Sequence, residues 1–423
     1  MKDVQMRGFD KTTDVKIALE TFLPLIEFLC ETEEIKAIDG LNRILAEDIQ
    51  SASDVPSFNR SAMDGYAVRA KDTFGASETN PLTFSVVDSI TAGQIPDTGV
   101  KENQAILIMT GGQLPPGADA VVMLEYINKL DETNIEIYRP SVPKENVSLA
   151  GEDVRKGHLV LKRGTILKPQ DIGILYAINV HSIKVFRKPR IAIVSIGDEL
   201  IEPEDVPSPG KIVNTNAPTI SALVREMLGV PVNLGIVQDD AVKIKAKLLE
   251  GTIKADMVIL MGGTSVGKKD LAPEVVASVG ELVVHGISMR PGKPTGLALV
   301  KNKPVILVPG NPVAAMISVY VFGHKVIQRI SGQTPGQILP LVKGRITRRI
   351  PSNVGRRDFA RVLVKRVKGE YLVEPVRVAG SAILSSMVKA NGIVIIPENK
   401  EGIEEGEEVE VLLIREQIEG EGI

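Results

Sequence analysis

At 423 residues the chain is too long for one ordinary domain, and length alone suggests about three. A hydrophobic content of 43% is ample for buried cores, and a net charge of −3 shows none of the basic excess of a nucleic-acid binder. Cys30 is the only cysteine, and His158, His181, His285 and His324 are scattered. That excludes a disulfide framework or a thiolate metal site and argues against a histidine zinc cluster. The opening MKDVQMRGFD carries no apolar signal-peptide core. The expectation is a soluble, cytoplasmic protein with no nucleic-acid and no membrane partner.

In chain order, Val15, Ile17, Ala18, Phe22, Leu23, Ile26 and Leu29 predict an amphipathic helix over about 14–31, despite Pro24. From about 50 to 140 the short runs LTFSVVDSI, QAILIM, ADAVVMLEYI and TNIEIY alternate with Gly, Pro, Asn and Asp, the pattern of an antiparallel β module. Residues 141–185 add further turns, the segment HLVLKRGTILK, and a helix beginning near Pro169. Beyond Lys188-Pro189 strands and helices alternate: RIAIVSIG, a helix over 216–228, VNLGIV, a helix over 239–254, then ADMVIL. The apolar segments LALV and VILV and a helix after Asn311 complete the pattern. This is a doubly wound, mostly parallel α/β sheet over about 187–331. The uncharged stretch 304–323 belongs to it, because Pro309, Gly310, Asn311 and Pro312 would break a membrane helix. From about 335 onward the segments LVKGRIT, FARVLVKRV, YLVEPVRV, GIVIIP and EVEVLLI predict a small β-barrel or sandwich.

The polar residues that carry chemistry fall where the predicted strands end. Residues 255–270, ADMVILMGGTSVGKKD, are a buried-strand pattern closed by a glycine loop. Gly262, Gly263 and Gly267 would let backbone N–H groups approach a phosphate, Lys268 and Lys269 supply charge, and Asp270 could hold a metal. A structural glycine turn remains the alternative. Lys269 stands where a nucleotide-binding P-loop needs the hydroxyl that binds magnesium, so that motif fails. Asp198 and Glu199 follow IAIVSIG and could hold Mg²⁺ or a ribose, or simply cap a turn. Asp239 and Asp240 open a helix, so one of them is expected to be its N-cap, leaving the other for a metal. Arg290-Pro291-Gly292-Lys293-Pro294 fixes two cations for an oxyanion or a phosphate. Pro309-Gly310-Asn311-Pro312 places a helix N-terminus directly beyond a strand. Together these elements point to a ligand carrying a phosphate and a second anion. The stretch around Asp64, FNRSAMDGYA, reads by its local chemistry as a turn between strands.

RSAMDGYA, MTGGQLPPGADAVV, AGEDV, GDEL, GGTSVGKKD, RPGKP and PGNPVAA occur in the order found in MoeA proteins, and the chain resembles that family over nearly its whole length. MoeA proteins are molybdopterin molybdenumtransferases, related to the E domains of gephyrin and of plant Cnx proteins. The resemblance implies conversion of adenylylated molybdopterin and molybdate, with Mg²⁺, to the metal-loaded cofactor and AMP. It implies four domains: a discontinuous linker domain (1–50 and 141–186), a β-rich module (51–140), a molybdopterin-binding α/β domain similar to the adenylylating MogA-type proteins (187–331), and a C-terminal β-barrel (335–423). It also implies a homodimer whose cleft is shared between subunits, with contacts to the adenylylating protein and to apo-molybdoenzymes.

By motif, Glu199, Asp239 or Asp240, and Asp270 are expected at the Mg²⁺–pyrophosphate region, with Gly262, Gly263, Ser265, Gly267 and Lys268 on the substrate. Arg290 and Lys293 would hold molybdate or the pterin phosphate, and Pro309 and Pro312 would shape the cleft wall. Asp64 and Thr110 are expected from the β module, Asp153 from the linker domain, and Arg356, Ser385 and Ser386 from the barrel. The chain departs from the family pattern at Ile196, where a threonine is usual, at Asn214, where a carboxylate is usual, and at Gly112. Nothing in the sequence separates molybdate from tungstate. A molybdopterin-binding scaffold without efficient turnover is the alternative reading, and a nucleotide hydrolase using the Gly262 loop is a third.

Overall fold

The computed structural model describes residues 12–29, 31–264, 271–333, 335–336, 339–377, 380–415 and 418–419. Cys30 and the expected site residues Ser265, Gly267, Lys268 and Asp270 lie outside the described residues. The chain divides into two compact units, one over Thr32–Val185 and one formed by the residues up to Glu31 together with Phe186 onward.

The smaller unit is organised by a six-stranded sheet in the order Ala120–Met123, Gly65–Val68, Gln104–Ile108, Leu82–Ile90, Asn134–Ile137, Ile127–Lys129. Side chains alternate across it. Tyr66, Val68, Phe84, Ile135 and Ile137 build one core and Ala67, Ile90, Ile106, Ile108 and Val121 another. The sheet is mixed rather than antiparallel, because Leu82–Ile90 runs parallel to Gln104–Ile108. The segment between them is long enough to cross back, whereas antiparallel neighbours would be joined by a tight hairpin. A third cluster gathers Leu45, Leu167, Leu175, Ile183 and Val185 under the Pro169–Ala177 helix. That helix starts with proline at its first turn and with the Asp171 carboxylate accepting from Lys168 N at 2.8 Å.

In the larger unit, Arg190–Ile196 is buried at all but its first residue, as a strand covered on both faces should be. The sheet order is Val230–Val237, Arg190–Ile196, Met257–Met261, Lys303–Val308, Gly296–Val300, Glu281–His285. Gly296–Val300 runs antiparallel to both of its neighbours, and the remaining pairings are parallel. Ile191 and Ile193 face a core shared with the Asn216–Glu226 and Pro312–Ser318 helices, while Ala192 and Val194 face the Ala241–Lys254 and Ala272–Val279 helices. Helices therefore cover both faces, as expected of a doubly wound, mostly parallel sheet. The Ala272–Val279 helix and the Glu281–His285 strand are elements that the sequence pattern did not single out.

The amino-terminal helix is shorter than its pattern. It runs over Val15–Phe22, capped by Asp14 Oδ1 accepting from Lys16 N at 2.6 Å, and gives way to a tight turn at Leu23–Leu25. Pro24 lacks the N–H that would continue the ladder, and its ring crowds the preceding turn. Beyond it Ile26 is buried and Leu29 half-buried without being helical, while Leu25 is exposed.

Downstream, Leu341–Ile346, Arg357–Val367, Glu370–Arg377, Gly392–Ile396 and Glu408–Leu413 close on themselves as a five-stranded barrel, with Arg357–Val367 pairing both with its hairpin neighbour and with Gly392–Ile396. Its interior is Ile346, Val362, Val364, Val373, Val394 and Val411. Closure pairs each of these five strands on both sides, which protects their backbone edges. The short strand Met289–Arg290 attaches to this barrel, pairing Arg290 with Asp358, and so carries the RPGKP loop to the barrel wall. Among the described residues, no helix is long and apolar enough to cross a membrane.

Candidate functional site

Four parallel strands of the larger unit end at Ile196, Val237, Met261 and Val308, so the loops after them meet at one sheet edge. This is where open α/β sheets bind ligands. A cleft of about 750 Å³ opens there, lined by Gly197, Glu199, Asp239, Gly262, Gly263, Pro309 and Pro312 among others. Gly262 has φ +92°, and a Cβ at this position would lie 2.4 Å from the Ile196 carbonyl oxygen. Only glycine fits that turn.

The Asp239-Asp240 pair separates by environment. Asp240 Oδ1 accepts from Val242 N and Lys243 N, both at 2.9 Å, and caps the Ala241–Lys254 helix. Asp239 lines the cleft. Its carboxylate accepts from Asp198 N at 3.2 Å, while its own N–H donates to Asp198 Oδ1 at 3.3 Å. The two loops thus brace one another and keep their carboxylates adjacent. Lys211 Nζ fixes the same turn by donating to the Asp198 carbonyl at 2.7 Å. Among the described residues no group of three or more His, Cys, Asp or Glu is placed to hold a metal alone.

Asn214, a departure from the family pattern, is buried at the cleft wall. Its Oδ1 accepts from Ser195 Oγ at 3.1 Å and from Ala217 N at 3.2 Å, tying the Arg190–Ile196 strand to the first turn of the Asn216–Glu226 helix. Because the Ala217 N–H can only donate, the amide cannot be flipped. The carboxamide therefore does the capping work a carboxylate could do. Ile196, a second departure, is buried in the core that contains Val194, where a hydroxyl would need a partner.

A second cleft of about 410 Å³ lies between the RPGKP loop and the barrel. Pro294, Pro309 and Asn311 line both clefts, so the two adjoin. Arg290, Lys293, Arg356 and Arg361 converge on the second one, with Asp358 and Ser381. Gly292, at φ +116°, lets the loop fold against Met289 and Ser318. Thr295 locks it, its Oγ1 donating to the Gly292 carbonyl at 2.6 Å and lying 2.7 Å from Ser318 Oγ. Arg356 donates to Asp358 through Nε at 2.9 Å and Nη2 at 3.4 Å, and Arg290 Nη1 lies 3.6 Å from the same carboxylate. Asp358 and Arg361 are 5% and 2% exposed. The sequence reading picked out neither residue, since both sit in an ordinary strand pattern. The signal that could have found them is a pair of charges, DFAR, inside an apolar barrel strand.

Several expected residues take other positions. Ser386 is buried, its hydroxyl donating to the Ile383 carbonyl at 2.6 Å, and neither it nor Ser385 is among the residues lining the two clefts. Ser381 does line one, accepting through Oγ from Asn311 Nδ2 at 3.0 Å. Of the N–H groups expected beyond Pro309, that of Val313 is taken by the Ser381 carbonyl at 3.1 Å.

In the smaller unit, Asp64 and Thr110 are both exposed and form a pair. Asp64 Oδ1 accepts from Thr110 N at 2.7 Å and from Thr110 Oγ1 at 2.8 Å. These bonds, the backbone one foremost, hold the Asp64 carboxyl below the usual carboxylate range. The turn that presents it is closed by Ser61 Oγ donating to the Met63 carbonyl at 2.5 Å. Asp153 is exposed, and its N–H donates to the Val55 carbonyl at 3.1 Å.

Comparison with known proteins places this architecture. The family model for the MoeA N-terminal region (domain I and II) matches residues 13–178, the "Probable molybdopterin binding domain" model matches 192–329, and the MoeA C-terminal region (domain IV) model matches 343–414. A Methanocaldococcus jannaschii protein named for molybdopterin biosynthesis is 40% identical over 408 residues, covering 93% of this chain and 96% of the relative. The molybdopterin molybdenumtransferase of Bacillus subtilis is 36% identical over 392 residues, covering 92% and 91%. The crystal structure of a molybdopterin biosynthesis MoeA protein from Pyrococcus horikoshii superposes with a TM-score of 0.82 at 35% identity, covering 96% of this chain and 100% of that one. With three family models in order and relatives this similar along nearly its full length, the chain belongs to the MoeA family.

Proposed function

We propose that the chain is a molybdopterin molybdenumtransferase: it takes adenylylated molybdopterin and molybdate or tungstate, uses Mg²⁺, and yields the metal-loaded cofactor and AMP. The observation that carries this reading is the junction of two clefts of opposite character. Acidic groups and a glycine turn line one, four basic side chains line the other, and Pro294, Pro309 and Asn311 belong to both. A ligand spanning the junction would set its phosphates against Glu199, Asp239 and the Gly262–Gly263 turn. Its dithiolene would then lie beside an oxyanion held by Arg290, Lys293 and Arg356.

The carboxylates present suit Mg²⁺, which commonly uses one or two carboxylates and takes its remaining ligands from phosphate oxygens and water. Glu199 and Asp239 would hold it, with Asp240 committed to its helix. Bound there, the ion would offset the charge of the phosphoanhydride. The protein's own residues then orient and concentrate. Fixed guanidinium and ammonium groups gather a tetrahedral dianion, and the rigid Pro309–Pro312 turn keeps both partners in register. No nucleophilic side chain is required, since the dithiolene sulfurs bind the metal as an oxo ligand leaves protonated as water, and a water cleaves the phosphoanhydride to release AMP and leave the pterin phosphate.

The exposed Asp64–Thr110 pair supports a homodimer in which each smaller unit completes its partner's cleft. The domain division is the one set out from the sequence: 1–50 with 141–186, 51–140, 187–331 and 335–423. A cytoplasmic location and exchange of substrate and product with the adenylylating protein and apo-molybdoenzymes complete the proposal. The test is AMP release from adenylylated molybdopterin by purified protein and Mg²⁺, with molybdate and tungstate added separately. Oxyanion-dependent release supports the transferase and ranks the metals. Tight substrate binding without release under either oxyanion would leave a scaffold.

A further inference from the structure

Asp358 is the acidic residue among the described residues lining the cationic cleft, and it is nearly fully buried. A carboxylate removed from water is costly unless paired and hydrogen-bonded. Here its partners are the very cations that would receive an oxyanion: Arg356 at 2.9 and 3.4 Å and Arg290 at 3.6 Å. Its place is fixed by the backbone as well, since Asp358 is the register partner of Arg290 where the RPGKP loop joins the barrel. Resting on the functional reading above, we propose that Asp358 is a built-in counter-charge: it aligns Arg290 and Arg356 for the oxyanion and weakens the cleft's hold on it, so that the oxyanion stays exchangeable and transferable.

The two effects have opposite signs and can be separated. Alignment comes from Asp358 occupying the Nε–Nη2 edge of Arg356, which fixes the plane of the guanidinium and turns its remaining donors toward other acceptors. Weakening comes from charge. The cleft's volume is that of a sphere about 9 Å across, so an oxyanion within it feels the carboxylate at a distance comparable to those of the cations. A dianion bound by four cations without a counter-charge would be held tightly in the ground state. Such binding lowers KM without helping the chemical step.

Asp358→Asn keeps an acceptor for Arg356 and removes the charge, whereas Asp358→Ala removes both. The experiment is calorimetric titration of the full-length protein with molybdate, and separately with tungstate, at several salt concentrations. It is paired with KM and kcat for oxyanion-dependent AMP release and with thermal melts to confirm folding. The expected result is that the Asp358→Asn protein binds oxyanion on the order of tenfold tighter, with a steeper salt dependence, lower oxyanion KM and lower kcat. The alanine variant should bind more weakly than the asparagine variant, because its guanidinium groups are no longer aligned. Asparagine-variant binding that is equal to or weaker than wild type would assign Asp358 a purely structural role and overturn the proposal. Wild-type protein that binds neither oxyanion would overturn the functional reading and this inference together.

Discussion

The two clefts of the larger unit are built by different means. The acidic one is assembled mainly from loops that directly follow parallel strands, three of them buried and one, Val230–Val237, at the sheet edge, so its floor is fixed by the parallel sheet. The cationic one depends on a pairing between distant parts of the chain, Met289–Arg290 against the barrel strand Arg357–Val367. Adjacent sites can thus differ in how far local sequence specifies them. A strand-end loop announces its ligand chemistry through glycine and carboxylates, whereas a charge cluster across a domain seam announces nothing until the chain has folded.

Substitutions should expose that difference, beginning with the most damaging. Gly262→Val forces a Cβ to within 2.4 Å of the Ile196 carbonyl and should destabilise the larger unit by about 2–4 kcal/mol. AMP release should vanish while the rest of the fold survives, as thermal melts and circular dichroism would show. Asp239→Ala should lower Mg²⁺-dependent AMP release by about two orders of magnitude with little loss of stability. A near-wild-type rate would remove Asp239 from the site. Arg356→Ala should leave Asp358 under-compensated and cost about 2 kcal/mol, raising the oxyanion KM far more than it alters substrate affinity. Asp240→Ala removes a helix cap and should cost about 1 kcal/mol, with AMP release within a few-fold of wild type. A collapse of activity in this variant would mean that the cap also serves the reaction.

His324 lies outside both clefts and bears on stability alone. Burial, with the charge of Lys325 beside it, pushes its pKa down from 6.5 to about 4. The unfolded chain therefore binds a proton that the folded chain refuses between about pH 6.5 and 4. Stability should fall as pH drops through that window, by on the order of 1–2 kcal/mol in all. Replacement by Gln should flatten the slope seen in urea titrations at pH 7, 6, 5 and 4.

Most of the sheet was legible because apolar runs, strand length and glycine placement agree at Arg190–Ile196, Val230–Val237, Met257–Met261 and Lys303–Val308, whereas its edge strand Glu281–His285 was not. Pro24 shows the limit of periodicity: apolar spacing continued past it while the backbone could not. In the smaller unit the alternation identified strands, but not that Leu82–Ile90 and Gln104–Ile108 run parallel, since direction depends on the path of the connecting segment. At the site, Asp239 and Asp240 were indistinguishable in sequence and are separated only by which carboxylate meets the helix N–H groups. Asp358 and Arg361 are not legible because charges in a barrel strand usually point to solvent, whereas here both are buried at the cationic cleft and Asp358 pairs with Arg290 of the RPGKP loop. The Asp64–Thr110 bond joins residues whose local sequence describes only turns.

The central claim is that the acidic and cationic clefts act as one site on one substrate. The most direct test measures AMP release from adenylylated molybdopterin by wild type, Asp239→Ala and Arg356→Ala proteins, each with and without molybdate. The expected result is molybdate-dependent release by wild type, release about two orders of magnitude slower by Asp239→Ala, and release by Arg356→Ala only at much higher molybdate. If molybdate leaves the wild-type rate unchanged, or Arg356→Ala responds to it as wild type does, the clefts do not work together and the account is wrong.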